Sequence, residues 1–145
     1  MPVATVGDTA TARMTVSTDD IEAYADLVGD DNPIHVDEGY AEETMFDGRI
    51  AHGMLSAGVV SAALADLPGD VIYVSQDLSF QAPVHPGQTV EATVEVVEAL
   101  GDDRLRVRTD VVADGVTVLS GEALVLSVPH ETPDESCGGA EAGAD

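Results

Sequence analysis

Residues 53–67, GMLSAGVVSAALADL, form the stretch that decides the predicted fold. They are apolar or small at almost every position, so a helix over this stretch has no polar face to turn toward water. We therefore expect the helix to be enclosed by the rest of the chain. At 1.5 Å per residue it would be about 20 Å long, the width of a small sheet. Residues 67–70, Leu-Pro-Gly-Asp, end it.

Downstream of this helix the chain changes to strand-like alternation of apolar and polar residues. The predicted strands are residues 71–82, 89–99, 105–112 and 116–128, joined mostly by hairpin turns, and a weaker strand precedes the helix at residues 11–16. Asp114-Gly115 is the strongest of the turn signals. The pattern predicts an α+β domain in which an antiparallel sheet wraps around the helix. So curved a sheet exposes an edge, and a two-fold dimer would cover it.

The segment between the first strand and the long helix combines helix patterns with a polar loop. Residues 17–20 supply N-cap candidates for an amphipathic helix that ends at Gly29. Residues 29–37, GDDNPIHVD, follow, and Pro33 makes the spacing within them non-helical. We expect a shaped loop over residues 30–36, and then a short helix capped by Asp37.

This loop carries the leading pair of candidate catalytic residues, Asp30 and His35. A carboxylate and an imidazole can hold a water molecule and transfer its protons, a role worth about 10²–10⁴ in rate. The alternative is structural: Asp30 caps a turn and His35 is a half-buried, hydrogen-bonded histidine. Asp31 is expected to face solvent. Asp31 and Asn32 compete for the same roles. Asn32 is also a candidate substrate-binding residue, although ties to the loop backbone are the stronger expectation for it.

Gly53 is the candidate donor to a substrate carbonyl, because it opens the enclosed helix with bare N–H groups. The alternative is that Gly53 serves only close packing. His52 could act as a second base, but a structural role is favoured for a histidine just before a buried helix. Ser61, two turns along, could contact the tail of a substrate, or could bond to its own backbone.

Charge excludes several classes of function. The chain has 28 acidic residues against five basic ones, all arginine, for a formal net charge of −23. Such a field repels nucleic acid and anionic membranes. In molar salt the Debye length falls to about 3 Å and the self-repulsion is screened. We therefore expect the protein to function in a very salty cytoplasm, with an acidic protein of an ordinary cell as the alternative.

Length and composition predict one domain, residues 1–128, followed by an acidic tail, residues 129–145, that we expect to be disordered. No signal peptide or membrane-spanning segment is expected, and the predicted location is cytoplasmic. The single Cys137 builds no disulfide framework within one chain. The scattered histidines and carboxylates have no recognised metal-site spacing, so we expect no metal.

Taken together, several stretches resemble the MaoC-like dehydratase family, in particular the short (R)-specific enoyl-CoA hydratases. They are Tyr24-Ala25, residues 29–37, Phe46, residues 50–55 (IAHGML), residues 78–84 (LSFQAPV), Pro86-Gly87 and residues 121–123. The resemblance covers about residues 10–128. It implies a hot-dog fold, dimerised into a larger continuous sheet. It also implies reversible syn hydration of trans-2-enoyl-CoA to (R)-3-hydroxyacyl-CoA, which could supply polyhydroxyalkanoate or fatty-acid metabolism.

By motif position, the resemblance makes Asp30 and His35 the catalytic acid/base pair and Gly53 the donor to the thioester carbonyl. It places Ser61 and Leu64 at the acyl pocket. It implies no metal and no bound cofactor, since coenzyme A is part of the substrate. Its partners would be the acyl-CoA substrate and a second copy of the chain.

The role of the arginines and the function of the chain each have an open alternative. Arg104, Arg106 and Arg108 alternate on one strand and could form a basic stripe for the phosphates of coenzyme A, or could simply lie on a solvated sheet face. The competing functions are an acyl-CoA thioesterase on the same fold and a non-catalytic acyl-CoA-binding subunit. The Asn-Pro-x-His string favours the hydratase, and the intact Asp30 and His35 argue against a pure binder.

Overall fold

The structure is a computed structural model, and it describes residues 2–129. Its elements, in chain order, are β1 Thr9–Thr15, α1 Thr18–Val28, α2 Pro33–Val36, α3 Glu38–Glu42, α4 Gly53–Ala65, β2 Asp70–Gln76, β3 Ser79–Phe80, β4 Thr89–Gly101, β5 Arg104–Ala113 and β6 Val116–Val128. The acidic tail predicted for residues 129–145 lies, apart from Pro129, outside the described residues.

The strands form one antiparallel sheet in the order β1-β4-β5-β6-β2, and β3 pairs with β6 beyond the end of β2. The β5–β6 hairpin turns at Asp114 and Gly115, both of which have positive φ angles, 51° and 78°. Two such residues give the turn the twist that matches its flanking strands. The predicted antiparallel sheet and its Asp-Gly hairpin are confirmed.

Helix α4 lies across the concave face of this sheet and packs mainly against β4 and β1. Alternate residues of β4 and β5 point toward it, among them Val94 and Val107, and both are fully buried. They meet Val60 and Leu64 of α4 in a single hydrophobic core. Burial of this kind contributes about 25 cal/mol for each Å² of apolar surface, so the packing of α4 on the sheet stabilises the fold.

The prediction of one continuous strand over residues 71–82 is wrong, because the structure has two strands there, β2 and β3. The break centres on Asp77, whose N–H donates to the carbonyl of Glu122 and whose Oδ1 accepts from the N–H of Glu122. Gly121 permits this approach, since a Cβ there would lie 2.0 Å from the carbonyl oxygen of Asp77. An irregularity between Tyr73 and Ser75 adds a second departure from regular pairing.

The expectation that α4 is fully enclosed is wrong for the single chain. One stripe along the helix is exposed: Met54, Gly58, Ser61, Ala62 and Ala65. The sheet covers only one side of the helix, and the other side carries small residues rather than charged ones. Within residues 2–129, no helix has the length and apolar character that crossing a membrane requires.

Candidate active site

Helix α1 and the loop after it set the position of Asp30. The predicted cap is confirmed: Ser17 and Asp20 form a reciprocal capping box at the start of α1. At the other end Gly29 adopts φ 85° and donates its N–H to the carbonyl of Ala25, which turns the chain out of the helix. Asp30 follows directly, with its side chain exposed.

The expectation of a loop over the whole of residues 30–36 is wrong from Pro33 onward, where the short helix α2 begins. Proline is tolerated at the first helical position because the N–H it lacks has no partner there. Asn32 caps this helix, with its Oδ1 accepting from the N–H of Ile34 at 3.5 Å. The N–H of Asn32 donates to Oδ1 of Asp30 at 3.4 Å. Asn32 therefore ties the loop together, as expected, and its substrate contact stays a prediction.

His35, on α2, is held in one orientation and one tautomer. Its Nδ1 lies 2.8 Å from the carbonyl oxygen of Ile50. A carbonyl can only accept, so the proton of the neutral ring is on Nδ1 and Nε2 carries the free lone pair. The ring is half-buried. His35 thus presents a proton-accepting nitrogen.

Arg49 fixes the backbone of α2, a role that the sequence reasoning missed. The guanidinium is 9% exposed, and its Nε donates to the carbonyl of His35 at 2.7 Å. Its Nη2 donates to Oε2 of Glu22 on α1 at 3.3 Å. A buried, charge-assisted hydrogen bond is stronger than a neutral one. Arg49 therefore joins α1 and α2 through one side chain.

His52 lies behind the pair and is 3% exposed. Its Nε2 is 2.9 Å from the carbonyl oxygen of Asp30. Its ring stacks on that of His35, with centroids 3.9 Å apart and planes 26° apart, and its other side contacts Tyr24 at 4.7 Å. The sequence reasoning favoured a structural role for His52, and these contacts join it to both candidate catalytic residues.

Asp30, His35 and His52 each offer one ligand atom within 4.8 Å of the others, which raises the question of a metal ion. One nitrogen of each ring already faces a backbone carbonyl. The two ring planes are stacked, so an ion about 2 Å from both free nitrogens would lie outside at least one ring plane. The donor set does not suit a single bound metal.

Gly53 is the first residue of α4, with His52 at the N-cap position and no side-chain hydrogen bond capping the helix. The first N–H groups of a helix have no intrahelical acceptor and carry partial positive charge. A Cβ at Gly53 would lie 2.6 Å from Cε1 of Phe80. The glycine thus serves close packing and also leaves a donor end at the cavity, so both readings of it have structural support.

A cavity of about 490 Å³ opens beside these groups. Most of the residues that line it are apolar. The full lining is His35, Phe46, Ile50, Ala51, His52, Gly53, Met54, Ser56, Phe80, Gln81, Ala82, Pro83, Val84 and Val118. Ser56, one turn into α4 from Gly53, is a buried polar residue that the sequence reasoning did not single out.

None of the three predicted substrate-binding residues, Asn32, Ser61 and Leu64, is among the residues that line this cavity in the single chain. Ser61 is exposed on the open face of α4, and Leu64 is buried in the core. The structure places His35 and Gly53 in the cavity wall, and it places Asp30 within 4.8 Å of the ring nitrogens of His35 and His52 but not among the lining residues. The acyl-pocket role of Ser61 and Leu64 stays a prediction.

All three arginines of the β5 stripe are exposed, and two of them, Arg106 and Arg108, are ion-paired. Arg106 contacts Glu98 and Glu122, and Arg108 contacts Glu95 and Asp110. Paired charges of this kind on an exposed face contribute little, about 0–1 kcal/mol each. The geometry favours the reading of a solvated sheet face over a phosphate-binding stripe.

The sequence matches the MaoC like domain over residues 4–120. It is 47% identical to the (R)-specific enoyl-CoA hydratase of Rhodospirillum rubrum over 83% of this chain and 85% of that protein. It is 45% identical to the 3-hydroxybutyryl-CoA dehydratase of Methylorubrum extorquens over 89% of this chain and 84% of that protein.

Solved structures agree. An unliganded R-hydratase from Pseudomonas aeruginosa superposes with a TM-score of 0.81 at 38% identity, covering 90% of this chain and 88% of that one. An (R)-hydratase from A. caviae, described as involved in PHA biosynthesis, gives 0.81 at 34% identity over 86% and 97%. The hot-dog fold implied by the resemblance is confirmed.

Proposed function

Since this chain belongs to the MaoC-like domain family, we propose that it is an enzyme that adds water reversibly to trans-2-enoyl-CoA and forms (R)-3-hydroxyacyl-CoA. The observation that carries the proposal is the pairing of Asp30 with a His35 whose Nε2 is free, in a chain 47% identical to an (R)-specific enoyl-CoA hydratase. A positioned acid/base pair beside a helix N-terminus is what hydration next to a thioester requires.

In the proposed mechanism one water molecule lies between the Asp30 carboxylate and Nε2 of His35. As the water oxygen bonds to C3, the pair accepts a water proton and the C2=C3 electrons move toward the thioester oxygen. The pair then delivers a proton to C2 on the same face. Hydroxyl and hydrogen thus add syn, and atoms and charge balance without an oxidant or reductant.

The N-terminal amide of Gly53 would receive the thioester oxygen. Negative charge grows on that oxygen as the enolate forms, so a donor fixed at a helix end stabilises the transition state more than the substrate. No metal or bound cofactor takes part in this scheme, and coenzyme A enters as part of the substrate.

The apolar cavity beside Phe80 and Val84 has the chemistry to hold the acyl chain near the pair. We propose Ser61 and Leu64 as contacts of a longer chain, and Asn32 as a contact at the loop. The product is suited to supply polyhydroxyalkanoate or fatty-acid metabolism, in a cytoplasm of high salt.

We propose that the enzyme is a homodimer. Two surfaces of the single chain support this: the apolar stripe of α4, which includes Met54 and Ala62, and the edge strand β2, where Ile72, Tyr73 and Val74 are exposed. An exposed edge strand with apolar side chains is a template for pairing unless another chain covers it.

The test is the loss of enoyl-thioester absorbance when the protein is added to crotonyl-CoA in concentrated potassium chloride. Wild type is compared with Asp30→Asn, His35→Ala and the matched control Asp31→Asn, which removes the same charge from the adjacent exposed residue. We expect kcat to fall by about 10²–10⁴ in the first two variants and to stay near wild type in the control. Chiral analysis of the product should give the (R) isomer.

The same assay separates the competing functions. Release of free thiol with the double bond intact would establish the thioesterase instead. Binding of crotonyl-CoA without either reaction would favour the non-catalytic subunit. Equal activity in Asp30→Asn and wild type would exclude the proposed pair.

A further inference from the structure

The hydrogen bonding of the His52 ring has no part in the proposed mechanism. Because the carbonyl of Asp30 can only accept, Nε2 of His52 carries the proton of the neutral ring. Nδ1 is then an acceptor, and it is buried without a hydrogen-bond partner among the described residues. A buried acceptor without a partner is unfavourable, so an apolar residue would suit simple packing better.

His52 is also the N-cap residue of α4, a position where Ser, Thr, Asp or Asn would satisfy the free N–H groups of the helix. Its side chain makes no such bond and points to Asp30 and His35 instead. The chain therefore forgoes a helix cap at this position in exchange for contacts to the two proposed catalytic residues.

We propose that His52 is a positioning residue, which holds the main chain of Asp30 through its Nε2–H and fixes the ring plane of His35 by stacking. This inference rests on the proposed function of that pair. His52 also directly precedes Gly53 in the chain, so the residue that contacts Asp30 and His35 is joined to the first residue of α4.

The same geometry argues against the alternative that His52 is a second base. Its Nε2 is occupied by the Asp30 carbonyl, and its Nδ1 is shielded from solvent. Neither nitrogen can reach a substrate in the cavity without breaking the arrangement. His52 acts through Asp30 and His35 or not at all.

Two variants separate the hydrogen bond from the stacking. His52→Phe keeps a flat ring against His35 and removes the donor. His52→Gln keeps an N–H at nearly the same distance from the main chain and removes the ring. We expect His52→Phe to lower kcat for crotonyl-CoA hydration at least about tenfold with KM nearly unchanged, because small misplacements of reacting groups are costly. His52→Gln should recover a clear part of that loss.

The fraction of folded protein, from circular dichroism in the same buffer, normalises each rate. A His52→Phe enzyme with wild-type kcat per folded molecule would overturn the inference, and so would a His52→Gln enzyme no better than His52→Phe. If His52→Phe does not fold, His52→Leu, which also lacks the donor, takes its place in the same comparison.

A measurement on the wild-type protein tests the hydrogen bond itself. Nitrogen-15 spectra of labelled histidine should show His52 as the Nε2–H tautomer, and an Nδ1–H tautomer would overturn the inference. An inactive wild-type protein would exclude the proposed function, and the positioning role of His52 with it. The spectrum would still show whether Nε2 of His52 donates to the carbonyl of Asp30. An active wild type with an unaffected His52→Phe would remove the inference alone.

Discussion

The guanidinium of Arg49 donates a hydrogen bond to the carbonyl of His35, 2.7 Å from Nε to oxygen. Arg49 lies 14 residues after the histidine and is almost fully buried. The neighbouring Ile50 accepts from the imidazole of the same histidine. Main chain and side chain of His35 are therefore both held by one short segment of backbone.

Replacing Arg49 by methionine should loosen α2 and lower both stability and kcat. Without the guanidinium, the carbonyl of His35 has no hydrogen-bond donor, and an unpaired buried acceptor costs about 1–3 kcal/mol. Chemical denaturation and crotonyl-CoA kinetics measure the two effects. Arg104→Met, at an exposed arginine of β5, is the control and should change neither. Wild-type kcat in Arg49→Met would show that α2 is held without the arginine.

Gly53→Ala should lower kcat/KM because the new methyl group would overlap the ring of Phe80. Alanine keeps the backbone N–H, so the damage should come from the displaced ring rather than from a lost donor. The double variant Gly53→Ala/Phe80→Ala should therefore regain much of the activity, judged against Phe80→Ala alone. No recovery would mean that the missing Cβ matters for the substrate itself.

Salt should stabilise this protein strongly. With a formal net charge of −23, the folded chain repels itself in dilute buffer, and molar salt shortens the Debye length from about 10 Å to about 3 Å. We expect lower helicity and a lower thermal midpoint in about 0.1 M than in about 2 M potassium chloride, because the higher concentration screens the repulsion between carboxylates. Isosmotic sucrose is the control for solvent exclusion. Equal midpoints at both salt levels would contradict the proposed adaptation.

Ala62→Glu should convert the proposed dimer into monomers, because it places a charge in the middle of the exposed apolar stripe of α4. Sedimentation velocity in high salt measures the change. Leu27→Glu adds the same charge at an exposed apolar residue of α1 and should leave the assembly intact. A wild-type monomer, or a dimer in both variants, would exclude this face as the interface.

Sequence reasoning predicted the sheet well, since β4 and β5 alternate regularly and the Asp114-Gly115 turn pairs β5 with β6. It was wrong at the break between β2 and β3. That break depends on Asp77 approaching Gly121, a contact between residues 44 positions apart that no local pattern reports.

The site divides in the same way. Asp30, His35 and Gly53 could be proposed from their residue types and a resemblance, and the structure places Asp30 close to His35 and both His35 and Gly53 in the cavity wall. The roles of Arg49 and His52 depend on which carbonyl each side chain reaches, which spacing does not reveal. An arginine directly before the Ile-Ala-His-Gly string, in a chain with only five basic residues, was the available signal for Arg49.

The exposed ion pairs of β5 affect how coenzyme A associates with the protein. With Arg106 and Arg108 already matched to carboxylates, an incoming anion finds no ready-made attractive field on that face. The net charge of −23 repels an anionic substrate, and salt screens that repulsion. The association rate should therefore rise as the ionic strength rises, the reverse of the usual behaviour of an enzyme with an anionic substrate. Selection between substrates would fall to the acyl chain and the pantetheine arm rather than to the phosphates.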